Sequence, residues 1–254
     1  MPSVTQDTRV ASAPVRTRTF IDLRRFAAEA AGSDPAGRNS WLDARRMLDL
    51  APGPVSVAAL SLEAGRGAVE RLPGDEFILV LSGDLVIEAG GLRLALGADW
   101  SAVLPAGCSF AWRTSAGARV LVMRHAGPTS EAPGSEGAAP RLVDPTAARA
   151  PSNPPLADLL VGPTPQCHSH TDYRSADGAF SCGTWDSTPY HRRPMVFAHY
   201  ELMHLLDGAV SFEDSAGRRG TFSAGDIVLM EQGAECSWLS TSDVAKVWAI
   251  YRPA

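Results

Sequence analysis

A Glu-x6-Gly pattern occurs twice in this chain in like surroundings, and that repetition constrains the fold more than any other feature. The first copy runs Glu76-Phe-Ile-Leu-Val-Leu-Ser-Gly83, then a strand-like run, the Gly90-Gly91 turn, Gly97-Ala-Asp99 and Pro105-Ala-Gly107. The second runs Glu201-Leu-Met-His-Leu-Leu-Asp-Gly208, then a strand-like run, the Asp214–Gly217 turn, Gly225-Asp226 and Gln232-Gly233. Chance could supply one of these elements. The whole series in register implies two copies of one structural unit.

The units read as β structure. From Val55 short apolar runs follow one another: Val55–Leu62, Glu76–Leu81, Leu85–Glu88, Leu92–Leu96, Ser101–Leu104 and Val120–Arg124. A second series comprises Phe197–Leu206, Ala209–Glu213, Thr221–Phe222, Ile227–Met230 and Val244–Tyr251. Gly and Pro punctuate both series, and the chain holds 23 Gly and 19 Pro, a composition suited to many tight turns. Many short strands with regular turn signals predict sandwiches or barrels.

Residues 1–19 have three arginines and several Ser and Thr without an apolar core, and are expected to be an unstructured leader. Phe20, Leu23, Phe26 and Ala27 recur at helical spacing, Asp34-Pro35-Ala36-Gly37 interrupts, and a second amphipathic helical stretch is expected over 40–50. The domain reading is therefore a leader at 1–19, a helical extension plus first barrel at 20–125, a small-residue linker at 126–155 and a second barrel at 156–254. A net charge of −5 with no basic run argues against nucleic-acid binding. No stretch of apolar residues reaches membrane-spanning length. The four cysteines form no dense disulfide framework, so reduced thiols and a cytoplasmic location are expected.

The repeated pattern resembles the cupin superfamily. In the second block Ser175-Ala-Asp-Gly178, Gly183-Thr-Trp185, Glu201-x6-Gly208, Gly220-x-Phe222-x-Ala-Gly-Asp226, Gly233, Trp238 and Lys246 are similar to the cupins of ethanolamine-utilisation proteins and of double-cupin ureidoglycine aminohydrolases. The resemblance covers roughly residues 55–125 and 175–252. It implies an all-β fold of two tandem jelly-roll barrels with a short N-terminal helical extension. It also implies a metal inside the barrel, held by two or three His and one Glu.

Set against that pattern, the first block has lost its ligands. Its two early His positions fall near Val69 and Arg71, and the later one is Phe110. This copy is expected to be structural and metal-free. In the second block Glu201 stands at the ligand position, with Pro194 and Val196, or Met195 and Phe197, at the early His positions and Cys236 at the later one. Strand alternation puts His199, Glu201 and Met203 on one face and Tyr200 and His204 on the other. Glu201, His199, His191 and Cys236 are thus a possible ligand set for Mn, Fe, Ni or Zn. The opposite reading, Glu201 hydrogen-bonded and Cys236 a small buried apolar residue without metal, stays open.

Trp185, Phe197, Met203 and Trp238 are expected to line the second barrel, with Tyr190 and Trp248 nearby. Cys167-His-Ser-His170 has the residue types of a zinc site without its spacing, and is expected on a loop. Two functions remain open. One is a cupin-type enzyme acting on a small polar metabolite, with Glu201 and His199 catalytic. The other is a non-catalytic double cupin that binds a small ligand or serves as a scaffold. Open jelly rolls leave edge strands, so a homodimer is expected in either case.

Overall fold

The computed structural model describes residues 17–30, 40–127 and 139–253. Leader residues 1–16, the Asp34-Pro35-Ala36-Gly37 break and most of the glycine-rich part of the linker lie outside those residues. Among the described residues, each copy of the Glu-x6-Gly unit is a barrel made of one large and one four-stranded antiparallel sheet. In the first barrel the large sheet orders its strands Arg141–Val143, Ser101–Leu104, Asp75–Gly83, Ala118–His125, Val55–Leu62 and Arg45–Met47. The small sheet runs Gly65–Val69, Phe110–Thr114, Leu85–Ala89 and Leu92–Leu96. In the second barrel Ile227–Met230, Tyr200–Asp207, Val244–Tyr251, Phe180–Ser187 and Cys167–Arg174 form the body of the large sheet. Its small sheet orders His191–Val196, Glu235–Leu239, Ala209–Glu213 and Arg219–Ser223.

The two large sheets lie back to back. Phe77, Leu79, Leu121 and Met123 from the first pack in one buried cluster with Phe180, Leu202, Leu229, Val247 and Tyr251 from the second. Ile78, Val80, Ile87 and Trp112 fill the first barrel, and Met203, Val210, Phe212 and Trp238 the second. A strand of a large sheet is therefore covered on both faces, which explains why Phe-Ile-Leu-Val-Leu after Glu76 is a continuous apolar run. Phe110–Thr114 in a small sheet alternates buried and exposed, since one of its faces meets solvent.

The repeated glycine has one physical role in both copies. Gly83 and Gly208 have φ of +83° and +72°, a region where only glycine is free of strain. A Cβ on Gly83 would lie 1.9 Å from the Gly117 carbonyl oxygen, and one on Gly208 would lie 2.0 Å from that of Asp243. Both glycines let the strand end pass close beneath the neighbouring chain, next to an irregularity in the pairing.

Three stretches differ from expectation. The helix covers Leu23–Ala30 only, and the stretch from Ser40 gives a turn followed by the edge strand Arg45–Met47. Trp41, Ala44 and Leu48 keep helical spacing but are each buried by the barrel, and Arg45, Arg46 and Met47 find backbone partners in Leu60, Ala59 and Ala58. Tertiary contact overrides local period here. Linker residues Arg141–Val143 and Ala150–Ser152 extend the two large sheets as edge strands. The chain's beginning also crosses to the second barrel: Ile21 pairs with Leu229, and Arg18 donates to both Glu231 carboxylate oxygens, at 2.7 and 3.1 Å.

Candidate functional site

The interiors of the two barrels can be built from their repeated glutamates. Glu76 is wholly buried and faces into the first barrel. Arg45 donates to both of its oxygens at 2.8 and 3.0 Å, Arg124 Nε donates at 2.7 Å, and Trp41 Nε1 donates at 3.0 Å. Burial alone would raise the Glu76 pKa, but the two guanidiniums outweigh it and hold the carboxyl below its usual range. Trp41 packs edge-on to Phe110, with ring centroids 5.1 Å apart. Val69 pairs with Phe110 across the small sheet, and both are buried. Two of the three positions where histidines would hold a metal, Val69 and Phe110, are thus buried and apolar, the third is the exposed Arg71, and the Trp41 ring packs on Phe110.

In the second barrel Glu201 sits on the strand Tyr200–Asp207, whose alternation turns Glu201, Met203 and Leu205 inward and Leu202 toward the seam. Lys246, from the last strand, donates to Glu201 Oε1 at 2.7 Å and lies 3.1 Å from Met203 Sδ. His199 Nε2 lies 3.3 Å from Glu201 Oε2. The side chains of His199, Glu201 and Lys246 are only 12%, 10% and 8% exposed. Burial pushes the Glu201 carboxyl up, yet the Lys246 ammonium and His199 together hold it well below the ordinary carboxylate range. The ammonium lies 4.8 Å from the centroid of Trp185 and 5.2 Å from that of Trp238, within cation–π reach of both. Tyr190 stacks on Trp238 at 5.4 Å, and Phe197 tilts against His199 at 5.5 Å.

The structure therefore brings together Glu201, His199, Met203, Trp185, Phe197 and Trp238 in and around one polar cluster. It does not bring in the other two expected ligands. His191 pairs with Leu239, an exposed residue, so its side chain is on the outer face of the small sheet. Cys236 is buried in the apolar filling of the barrel, and burial pushes its thiol up to about 11, so it is a protonated, apolar-like group. Among the described residues no three His, Cys, Asp or Glu side chains converge as metal ligands. With one Glu201 oxygen bonded to an ammonium, this donor set does not fit the divalent metal that the resemblance implies. The ligand set of Glu201, His199, His191 and Cys236 is replaced by a carboxylate–ammonium–imidazole cluster.

The motif Cys167-His-Ser-His170 is also corrected. It belongs to the strand Cys167–Arg174, not a loop, and His168 Nδ1 lies 2.8 Å from Asp186 on the neighbouring strand. Lys246 was legible as a motif residue but not as a site residue. The available signal was an isolated lysine in Val-Ala-Lys-Val-Trp-Ala-Ile-Tyr, a run that otherwise reads as buried. His204 faces the seam, as alternation predicts, and lies 3.7 Å from Asp99 of the first barrel.

Comparison with known proteins matches the geometry. Residues 174–248 match the EutQ-like cupin domain. A Pseudomonas syringae pv. tomato protein with unknown function, of the DUF861 family, is 26% identical, with 94% of each chain covered and a TM-score of 0.75. A salicylate 1,2-dioxygenase from Pseudaminobacter salicylatoxidans is 11% identical with a TM-score of 0.58, covering 98% of this chain and 88% of that one. A Cupin 2 conserved barrel domain protein from Leptotrichia buccalis is 9% identical with a TM-score of 0.52, covering 94% and 98%. The latter two likenesses concern the fold alone. The comparison with curated proteins returned no match. No helix among the described residues is long and apolar enough to cross a membrane. Two back-to-back barrels, each built on Glu-x6-Gly, give this chain a double-cupin fold, and its second barrel is similar to the EutQ-like cupin domain.

Proposed function

We propose that the second barrel is the working site of a cupin-type enzyme acting on a small polar metabolite, and that the first barrel is its scaffold. The observation carrying this reading is the Lys246–Glu201–His199 cluster, nearly buried and walled by Trp185 and Trp238. Buried charges are costly, and an ion pair in a barrel is seldom the most stable filling. Its retention beside an imidazole fits acid–base chemistry. His199 accepts a proton from the bound molecule, the Glu201 carboxylate orients the imidazole and stabilises its charged form, and Lys246 stabilises negative charge that develops on the substrate. The steps use this chain's own residues, because the donor set does not suit a metal. Edge strands Leu92–Leu96 and Arg219–Ser223 each have one unpaired side among the described residues, which supports the expected homodimer.

The test starts from a metabolite screen on purified untagged protein, read by quenching of tryptophan emission. Ligands of the wild type should bind at least about tenfold more weakly to Lys246→Met. Ligands followed by proton NMR should be converted by the wild type and not by Glu201→Gln. Binding that ignores Lys246→Met would overturn the site. Binding without conversion would favour a ligand-binding module, the second function open from sequence. Stoichiometric Mn, Fe, Ni or Zn that disappears in Glu201→Gln would overturn the metal-independent chemistry.

A further inference from the structure

Arg192 is a buried cation that the acid–base cluster does not use. It is 7% exposed, and its partner across the small sheet is Trp238, which places it on the inner face. Its Cζ lies 5.3 Å from the centroid of the Phe197 ring, the ring that tilts against His199. Nη2 donates to the Cys236 carbonyl at 3.2 Å. Nε is buried and has no hydrogen-bond partner. A guanidinium keeps its charge under any condition a protein meets, so this donor cannot be silenced by losing a proton. Buried orphan donors on charged groups are costly and call for a partner.

The charges inside the barrel point to what that partner is. Arg192 and Lys246 are two cations, and Glu201, the carboxylate among them, is bonded to Lys246 and His199 instead of Arg192. One positive charge is left over, and it lies on the group with the free N–H. We propose that the site proposed above takes a small organic acid, whose carboxylate is held by Arg192 and whose body lies against Phe197 and Trp238, facing His199 and Glu201. A planar monoanion suits the guanidinium edge and cancels the surplus charge, whereas a phosphate dianion would overshoot it. This inference rests on the second barrel being a small-molecule site, and it adds the ligand class and the residue that selects it.

Two isosteric pairs test it on the full-length protein: benzoate against benzamide, and propionate against propionamide, titrated calorimetrically with inorganic phosphate alongside. At least one acid should bind roughly ten- to a hundredfold more tightly than its amide, the difference expected for a charge-assisted hydrogen-bonded contact. That preference should vanish in Arg192→Met and fall in Arg192→Lys, which keeps the charge but loses the planar fork. If Arg192→Met does not fold, the acid–amide comparison and Arg192→Lys carry the test. An acid and amide that bind alike, both weakened by Lys246→Met, would overturn the carboxylate assignment while leaving the barrel as the site. An acid preference untouched by Arg192→Lys and Arg192→Met, or phosphate binding more tightly than either acid, would also overturn it. Failure of both acids to bind would overturn it too, while the metabolite screen judges the barrel separately.

Discussion

Glu76 and Glu201 stand at the same place in the two barrels, and their neighbours differ in kind. Glu76 is bonded by Arg45, Arg124 and Trp41. Glu201 is bonded by Lys246 and lies beside His199. A guanidinium holds its proton and binds a carboxylate in a rigid fork, so the first barrel is electrostatically fixed. Ammonium and imidazole are groups that can exchange protons. The first barrel also takes the Trp41 ring from the preceding chain, and Val69 and Phe110 fill two of its three histidine positions. One fold thus serves as a closed scaffold in one copy and keeps exchangeable polar groups in the other. The comparison teaches that the loss of metal histidines means different things in the two barrels.

The largest effect expected from breaking this comparison is at Glu76. Glu76→Gln leaves two guanidiniums without their carboxylate and should cost about 3–5 kcal/mol in denaturant unfolding. Glu201→Gln should cost less, about 2–3 kcal/mol, because it leaves one bonded cation without its carboxylate where Glu76→Gln leaves two. Equal losses at the two sites would remove the distinction between scaffold and working barrel.

Next come the two repeat glycines, where the barrels should behave alike. Gly83→Ala and Gly208→Ala force a side chain into positive φ against a backbone oxygen, and each should cost at least about 1–3 kcal/mol. The measurement is again chemical unfolding. A variant that is neutral in one barrel only would show that the shared backbone role does not hold.

The last effect lies in the seam and appears only as the pH falls. Burial lowers the His204 pKa from 6.5 to about 4, outweighing the attraction of Asp99. The unfolded chain takes up this proton near pH 6.5 and the folded chain only near pH 4. The neutral histidine's contribution is therefore full above pH 6.5 and is lost as pH falls toward 4. His204→Asn should flatten the fall in stability over that interval by up to about 3 kcal/mol. A wild-type-minus-variant difference that does not vary with pH would rule out this titration.

Much of the fold was readable because it rests on local chemistry repeated twice. Phe77–Leu81 is a continuous apolar run since both of its faces are covered, Leu202–Leu206 is one broken only by His204, and Gly83 and Gly208 mark strand ends that no other residue permits. Strands with little apolar signal escaped: Cys167–Arg174 is polar along most of its length, and Phe110–Thr114 shows solvent a full face. Arg45–Met47 was hidden by the helical spacing of Trp41, Ala44 and Leu48, three residues buried by tertiary contacts and not by a helix.

For the site, alternation alone put Glu201 and Met203 on one face and His204 on the other, because a strand's period of two is a local property, whereas His199 lies in the bend before the strand and reaches Glu201 from there. Which residues meet Glu201 was decided only when the strands of both sheets closed into a barrel. That closure turned His191 outward opposite Leu239, left Cys236 in apolar packing, and brought Lys246 and Arg192 inside. The repeated motif determined that this chain makes two barrels. The pairing of strands distant in sequence decided which barrel keeps exchangeable polar groups beside its glutamate, because burial and charge partnership arise from tertiary contacts and not from the order of residues.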